Sequence, residues 1–157
     1  MKKTMMILFV LCSMMTGCTT NEKVINFVQL KESFEKRGFL LEEQVDINKN
    51  SVFQMTLNGV EPESYMINDK EIISIYVYAS SEGVKEGIKD FEYKTATASV
   101  IPHKKYQVAN VLIFYSSRGD PEDERIEMVL EDMKALAEQK RRHLSPKKGT
   151  DVFLFDT

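Results

Sequence analysis

Cysteine is nearly missing from this chain: Cys12 and Cys18 are its two, and both fall within the first eighteen of 157 residues. The remainder therefore has no disulfide framework, no thiolate metal site and no cysteine nucleophile, and its stability has to come from packing. Histidine is as scarce. His103 and His143 have no partner at ligand spacing, whereas a zinc or copper site needs three or four N, S or carboxylate donors. There is no excess of basic residues: the chain has 21 Lys and Arg against 24 Asp and Glu, a balance that argues against nucleic acid as a partner. No GxGxxG phosphate loop, GxSxG elbow, long repeat or low-complexity segment occurs, and no cofactor is implied. Long apolar runs are also lacking. The mostly apolar run Met5 to Met15 is shorter than the roughly 18 residues a membrane-spanning helix requires.

What is present at the N-terminus has a definite layout. Lys2 and Lys3 form a positive region, Met5 to Met15 an apolar one, and Met15-Thr16-Gly17-Cys18 closes with small residues ahead of a cysteine. That is the order of a secretory signal. The MTGC sequence resembles the lipobox of bacterial lipoproteins, with Met15 where Leu is usual. The resemblance implies removal of residues 1–17 and a diacylglyceryl lipid on Cys18. An ordinary signal cut elsewhere, or a short buried helix, would use the same apolar run. Removal of residues 1–17 leaves 140 residues with 19 basic and 24 acidic side chains, enough for one domain with a real core. Two acyl chains hold a protein on a membrane stably where one does so only marginally.

The expected organisation is a signal at 1–17, a lipidated tether at 18–21, one domain over 22–140, and a basic linker with an apolar end at 141–157. Val24, Phe27, Val28 and Phe34 share a helical spacing, and Gly38 follows as a stop, which predicts a helix over 22–37. Strands are expected around Leu41 to Ile47, at Phe53, Met55 and Leu57 before the hairpin pair Asn58-Gly59, and around Tyr65 and Ile67. The stretch Ile72 to Tyr78 is apolar on both faces, as a central strand would be. Ser80-Ser81 caps a helix with Val84, Ile88 and Phe91 on its face. It is weakened by Gly83 and Gly87, which cost up to about 1 kcal/mol each. Strands are predicted at 95–101 and at Val108 to Tyr115, with His103-Lys104-Lys105 as a basic connection. Asp120-Pro121 then starts a helix carrying Ile126, Val129, Met133 and Leu136. Val152-Phe153-Leu154-Phe155 reads as a docked strand or edge addition. The order α-β-β-β-β-α-β-β-α predicts an α+β fold, an antiparallel sheet of five to six strands with helices packed on one face.

Residues 52–79 (VFQMTLNGVEPESYMINDKEIISIYVYA) resemble a strand pair followed by a short helix in small uncharacterised Bacillus-type lipoproteins. The segment TASVIPHKKYQVANVLIFYSS is similar to a later Pro-His motif and apolar strand of the same family, with Pro102-His103 and Val108 to Tyr115 as counterparts. The resemblance spans about residues 30–138. Lys104 replaces the aromatic after Pro-His, Val77 replaces a Glu, and residues 140–157 have no counterpart. The family has no established activity, so the resemblance implies fold and location only.

Candidate site residues follow from these readings. Cys18 is the lipid attachment point. Tyr76, Tyr78 and Tyr115, with His103, could line a binding face for a peptide or glycan, or the tyrosines could cap the core with their hydroxyls in water. Lys140, Arg141 and Arg142, followed by Lys147 and Lys148, could meet anionic lipid headgroups or complement the end of the last helix. The functional expectation is a lipid-anchored extracytoplasmic binding or interaction domain without catalysis, held on the cell membrane and serving an unidentified protein or envelope ligand. The alternative is a small cell-envelope hydrolase or transferase using His103 with the scattered acids Glu42, Glu43, Glu61, Glu63, Asp69 and Glu71. A transporter's substrate-binding subunit ranks last, because such proteins need two lobes.

Overall fold

The computed structural model describes residues 24–43, 50–68, 71–117 and 123–143. Cys18, Asp69, residues 45–47 and the Val152–Phe155 segment, on which several expectations rest, lie outside them. Helix α1 spans Phe27–Lys36, a short strand β1 Glu42–Glu43, β2 Glu63–Asn68 and β3 Glu71–Val77. Helix α2 covers Ser81–Thr95, β4 His103–Val108, β5 Val111–Ser117 and α3 Glu124–His143. The fold is α+β with one antiparallel sheet in the order β1-β2-β3-β5-β4. Four strands have six or seven residues, and β1 adds a two-residue pairing at one edge.

The helices cover both faces of this sheet, not one. Ile73 and Ile75 of β3 and Val111, Ile113 and Tyr115 of β5 point to a first face. There they join Ile25, Leu30 and Phe34 around α1 and Ile126, Val129 and Met133 of α3. Tyr76, Leu112 and Phe114 point to the second face, packing with Val84 and Phe91 of α2 and with Phe53 and Leu57. This three-layer arrangement is why β3 and β5 are apolar on both sides: each residue of a period-2 strand meets a core whichever way it points.

Local chemistry sets where the elements start and stop. Helix α1 begins later than its apolar spacing suggested, because Asn26 caps it. The Asn26 side chain accepts from the Gln29 amide at 2.9 Å, and the Gln29 side chain accepts in return from the Asn26 amide at 3.2 Å. Val24 thus precedes the helix, and Val28 is exposed while Leu30 and Phe34 are buried. The predicted stop holds: Gly38 has φ +80, a conformation in which a side chain would be strained.

Two predicted strands fail and a third divides, for identifiable reasons. Residues 52–54 form a single 3-10 turn capped by Ser51 instead of a strand. Asn58 and Gly59 do make the tight turn, with φ 46 and 76 and reciprocal bonds between Leu57 and Val60, but no hairpin follows. The carbonyls a ladder would need are taken from the sheet below. The one Tyr76 hydroxyl proton is shared between the Met55 and Phe53 carbonyls, at 2.9 and 3.1 Å. The Leu57 carbonyl, already bonded to the Val60 amide, takes the Tyr78 hydroxyl as its second donor at 3.3 Å. Residues 95–101 are the end of α2 followed by a turn and irregular chain. The run from Val108 to Tyr115 is two strands joined at Ala109-Asn110, and His103-Lys104-Lys105 is itself part of β4.

The two glycines of α2 are explained by close approach. A Cβ on Gly87 would collide with the Tyr78 hydroxyl, and one on Gly83 would lie 3.2 Å from the Tyr78 Cβ. Helix α2 gives up intrinsic propensity so that Tyr78 can lie beneath it.

Candidate functional site

The three candidate tyrosines do not form an open face. Tyr76 and Tyr78 are buried under α2 and residues 53–57, with rings stacked at 6.4 Å. Tyr115 is buried on the opposite face of the sheet. Their hydroxyls serve the interior. Burial first, then neighbouring Tyr78, keeps the Tyr76 hydroxyl protonated far above the ordinary phenol range, and burial with Asp90 pushes Tyr78 up to about 12. A hydroxyl buried in this way donates to a carbonyl more readily than it meets a ligand.

His103 belongs to the second face. Its ring sits 5.1 Å from Phe53, 5.8 Å from Phe91 and 6.0 Å from Phe114, and Nδ1 lies 3.0 Å from the Ile101 carbonyl. The alternation of β2 and β3 places Glu63 and Glu71 on the first face, so the sheet stands between them and His103. Glu63 accepts the Tyr65 hydroxyl at 2.8 Å, and Glu61 is exposed. Side chains of Glu42 and Glu43, like Asp69, lie outside the described residues. Among the described residues no group of three His, Cys, Asp or Glu side chains is placed to hold a metal.

Three polar constellations were not legible beforehand. The first is Asn110, fully buried in the β4–β5 turn. Its Oδ1 accepts from the Ile25 amide at 2.6 Å, and its Nδ2 donates to the Ile25 carbonyl at 3.1 Å and the Tyr78 carbonyl at 2.7 Å. One amide thereby ties the segment entering α1 to the end of β3. The signal available was a polar residue interrupting the apolar run VANVLIFY.

The second lies where α3 begins. Asp123 accepts from the Arg125 amide at 2.9 Å and from its guanidinium at 2.6 Å, and that guanidinium also lies over the Phe39 ring at 4.3 Å. The Arg125 bond holds Asp123 below the usual carboxylate range. Beside it the Tyr115 hydroxyl is raised, by burial first and then by Glu71 and Asp123.

The third joins the two helices of the first face. Arg37 grips Asp132 with two parallel bonds, Nε to Oδ2 and Nη2 to Oδ1, both 2.8 Å, and Lys36 adds a contact at 3.4 Å. Next to it runs a groove of about 210 Å³ lined by Gln29, Glu32, Ser33, Lys36, Asp132, Ala135 and Leu136. Hydrogen bonding from Arg37 lowers the Asp132 pKa. A depressed carboxylate contributes stability that is present above its unfolded value, near 3.8, and is lost as pH falls towards the folded value. Asp132→Asn is therefore expected to be less stable than wild type by a constant margin between pH 7 and 5. The margin should shrink below pH 4, as read by urea unfolding at each pH. A margin independent of pH down to 3 would show that the charge of Asp132 contributes nothing.

The backbone of Lys140, Arg141 and Arg142 forms part of the last turn of α3. Cys18 lies outside the described residues. None of the described helices is long and apolar enough to cross a membrane.

The fold and these groups define an α+β domain with two closed cores and polar ties between its layers. Comparisons with family models, curated proteins and solved structures gave no match.

Proposed function

We propose that this chain is a lipid-anchored domain on the outer face of a bacterial cytoplasmic membrane, acting by binding and not by catalysis. The observation that carries the reading is the N-terminal order of Lys2-Lys3, the uncharged stretch Met5–Met15 and Met15-Thr16-Gly17-Cys18. The resemblance to small Bacillus-type lipoproteins adds support in the same direction. Both cores are filled by side chains of the sheet and the elements covering it, so a partner would meet the surface. Of the large apolar side chains in water, Leu40 follows α1, Val28 lies on α1 and Tyr93 on α2. Val28 and Tyr93 sit on helices that cover opposite faces of the sheet.

Cys18→Ala separates this reading from a secreted protein. Expressed in a Gram-positive host, wild type should fractionate with membranes and carry diacylglyceryl mass on a chain that begins at Cys18. The variant should lose the lipid mass and fail to be matured at that residue. Wild-type protein recovered from the medium without lipid would overturn the anchor. Soluble ligands and enzymatic chemistry would then be the next readings to test.

A further inference from the structure

We infer that the domain lies on the bilayer through one end of its first face, where the last turn of α3, bearing Lys140, Arg141 and Arg142, meets anionic lipid headgroups. This rests on the lipid-anchor reading and adds an orientation and a lipid class to it.

Three placements converge. Asn110 clamps Ile25 to the end of the sheet formed by the β4–β5 turn and the end of β3. Ile25 is seven residues from Cys18, so a fully extended connection reaches about 25 Å at most. The tether therefore leaves from that end of the domain. Helix α3 runs towards the same end. Arg37, at the close of α1, contacts Asp132 and Met128, whereas Gln29 and Ser33, nearer its start, share a groove with Ala135 and Leu136. The two helices are antiparallel, and continuing that register brings residues 140–142 level with Asn26 and Ile25. At 1.5 Å per residue the 20 residues of α3 run about 30 Å, against about 23 Å for the seven residues of β5, so α3 is long enough to traverse the sheet from end to end.

Charge complementarity selects the occupant. Three consecutive basic residues sit at the tether's own end, where a connection of at most about 25 Å lets them come within a Debye length of the surface, and each then contributes attraction to an anionic leaflet. Glu138 is the acid one turn back on α3. At the same end on the second face, α2 opens with Glu82, which is paired with Lys85 at 2.7 Å. Glu82 and Lys85 offset each other, so the attraction acts through the basic turn of α3 and brings α3 nearer the membrane.

The test uses lipidated protein in vesicles of phosphatidylcholine with or without phosphatidylglycerol. Once the signal has left and Cys18 carries lipid, an added cysteine is the one free thiol. A fluorophore is placed at Gln107→Cys, exposed near the tether end, or at Glu124→Cys, exposed at the opposite end. A headgroup-attached quencher should quench position 107 more than 124, and the gap should widen with phosphatidylglycerol. The K140E/R141E/R142E variant should abolish that widening. Equal quenching at the two positions, or a triple variant identical to wild type, overturns the inference. Intact mass of the same sample reports the anchor separately. If Cys18 is unlipidated, the anchor reading fails. The basic turn is then tested by cosedimentation of the secreted protein with phosphatidylglycerol vesicles at low salt. A loss of about a hundredfold in the triple variant would support the lipid contact, and no loss would overturn it.

Discussion

Phe114→Ala is expected to lower the stability of the folded chain by about 3–5 kcal/mol, the largest effect anticipated for a single side chain here. Phe114 is fully buried at the centre of the second-face core, with its ring 4.4 Å from Phe91, 5.5 Å from Phe53, 5.9 Å from Tyr76 and 6.0 Å from His103. Its removal takes away the transfer energy of a phenyl group and leaves a hole that its neighbours can close only in part. Those neighbours come from four separate segments: Tyr76 on β3, His103 on β4, Phe91 on α2 and Phe53 on the 3-10 turn. Relaxation of one segment would pull against the hydrogen bonds of the next, such as those from Tyr76 to residues 53 and 55. Phe114→Leu, which keeps most of the volume, should cost under about 2 kcal/mol. Urea unfolding of the two variants checks the claim. An Ala variant within 1 kcal/mol of wild type would mean that this face is not a packed core.

Asn110→Ala should cost about 3 kcal/mol or more, through polar groups instead of volume. It strands the Ile25 amide, the Ile25 carbonyl and the Tyr78 carbonyl in a buried site. Each unsatisfied buried group costs about 1–3 kcal/mol, reduced where the chain can shift to reach solvent. Asn110→Asp is expected to be equally damaging, since it keeps the acceptor, loses both donors and sets a carboxylate against two carbonyls. The effect should be local as well as global. Hydrogen exchange at the Ile25 amide should accelerate in the Ala variant under native conditions, because that amide has Asn110 as its acceptor. Continued protection of Ile25 would show that α1 is held down by its apolar contacts alone. The outcome bears on the proposed anchoring, in which this amide would be the joint through which a pull on the lipidated segment reaches the domain.

The two variants probe different kinds of information in the chain. Phe114 stood in an apolar run that could be read as a central strand, and its burial follows from that. Asn110 stood in the same run, and reading VANVLIFY as one strand concealed the turn that it makes with Ala109. Ala109 adopts φ 50, which a residue with a Cβ avoids unless its surroundings impose it. Nothing in the identity of alanine announces that. The segment Phe53 to Leu57 misled for the opposite reason. Its alternation of apolar and polar residues is a strand pattern, and Asn58-Gly59 is a hairpin turn. Yet its backbone carbonyls take bonds from Tyr76 and Tyr78, whose hydroxyls arrive from 21 to 23 residues further on. Local pattern cannot report a competitor that distant.

By itself the sequence determined some termini, the stop at Gly38 and the cap at Ser80 among them, and the class of the fold. Gly38, Ser80 and the apolar stripe on α3 act within a turn or two of themselves, and β3 and β5 needed partners on both faces wherever those partners came from. It also held the signal-like N-terminus, on which the proposed location depends. The tertiary structure alone decided which layer covers which face. It put α1 and α3 together through Arg37 and Asp132, 95 residues apart, and sent α2 to the other side over Tyr78. It also removed the tyrosines from the surface and set the sheet between His103 and the acids Glu63 and Glu71. The physical reason is that capping and periodicity are local energies, whereas the choice of face depends on how distant apolar areas and polar groups satisfy one another at once.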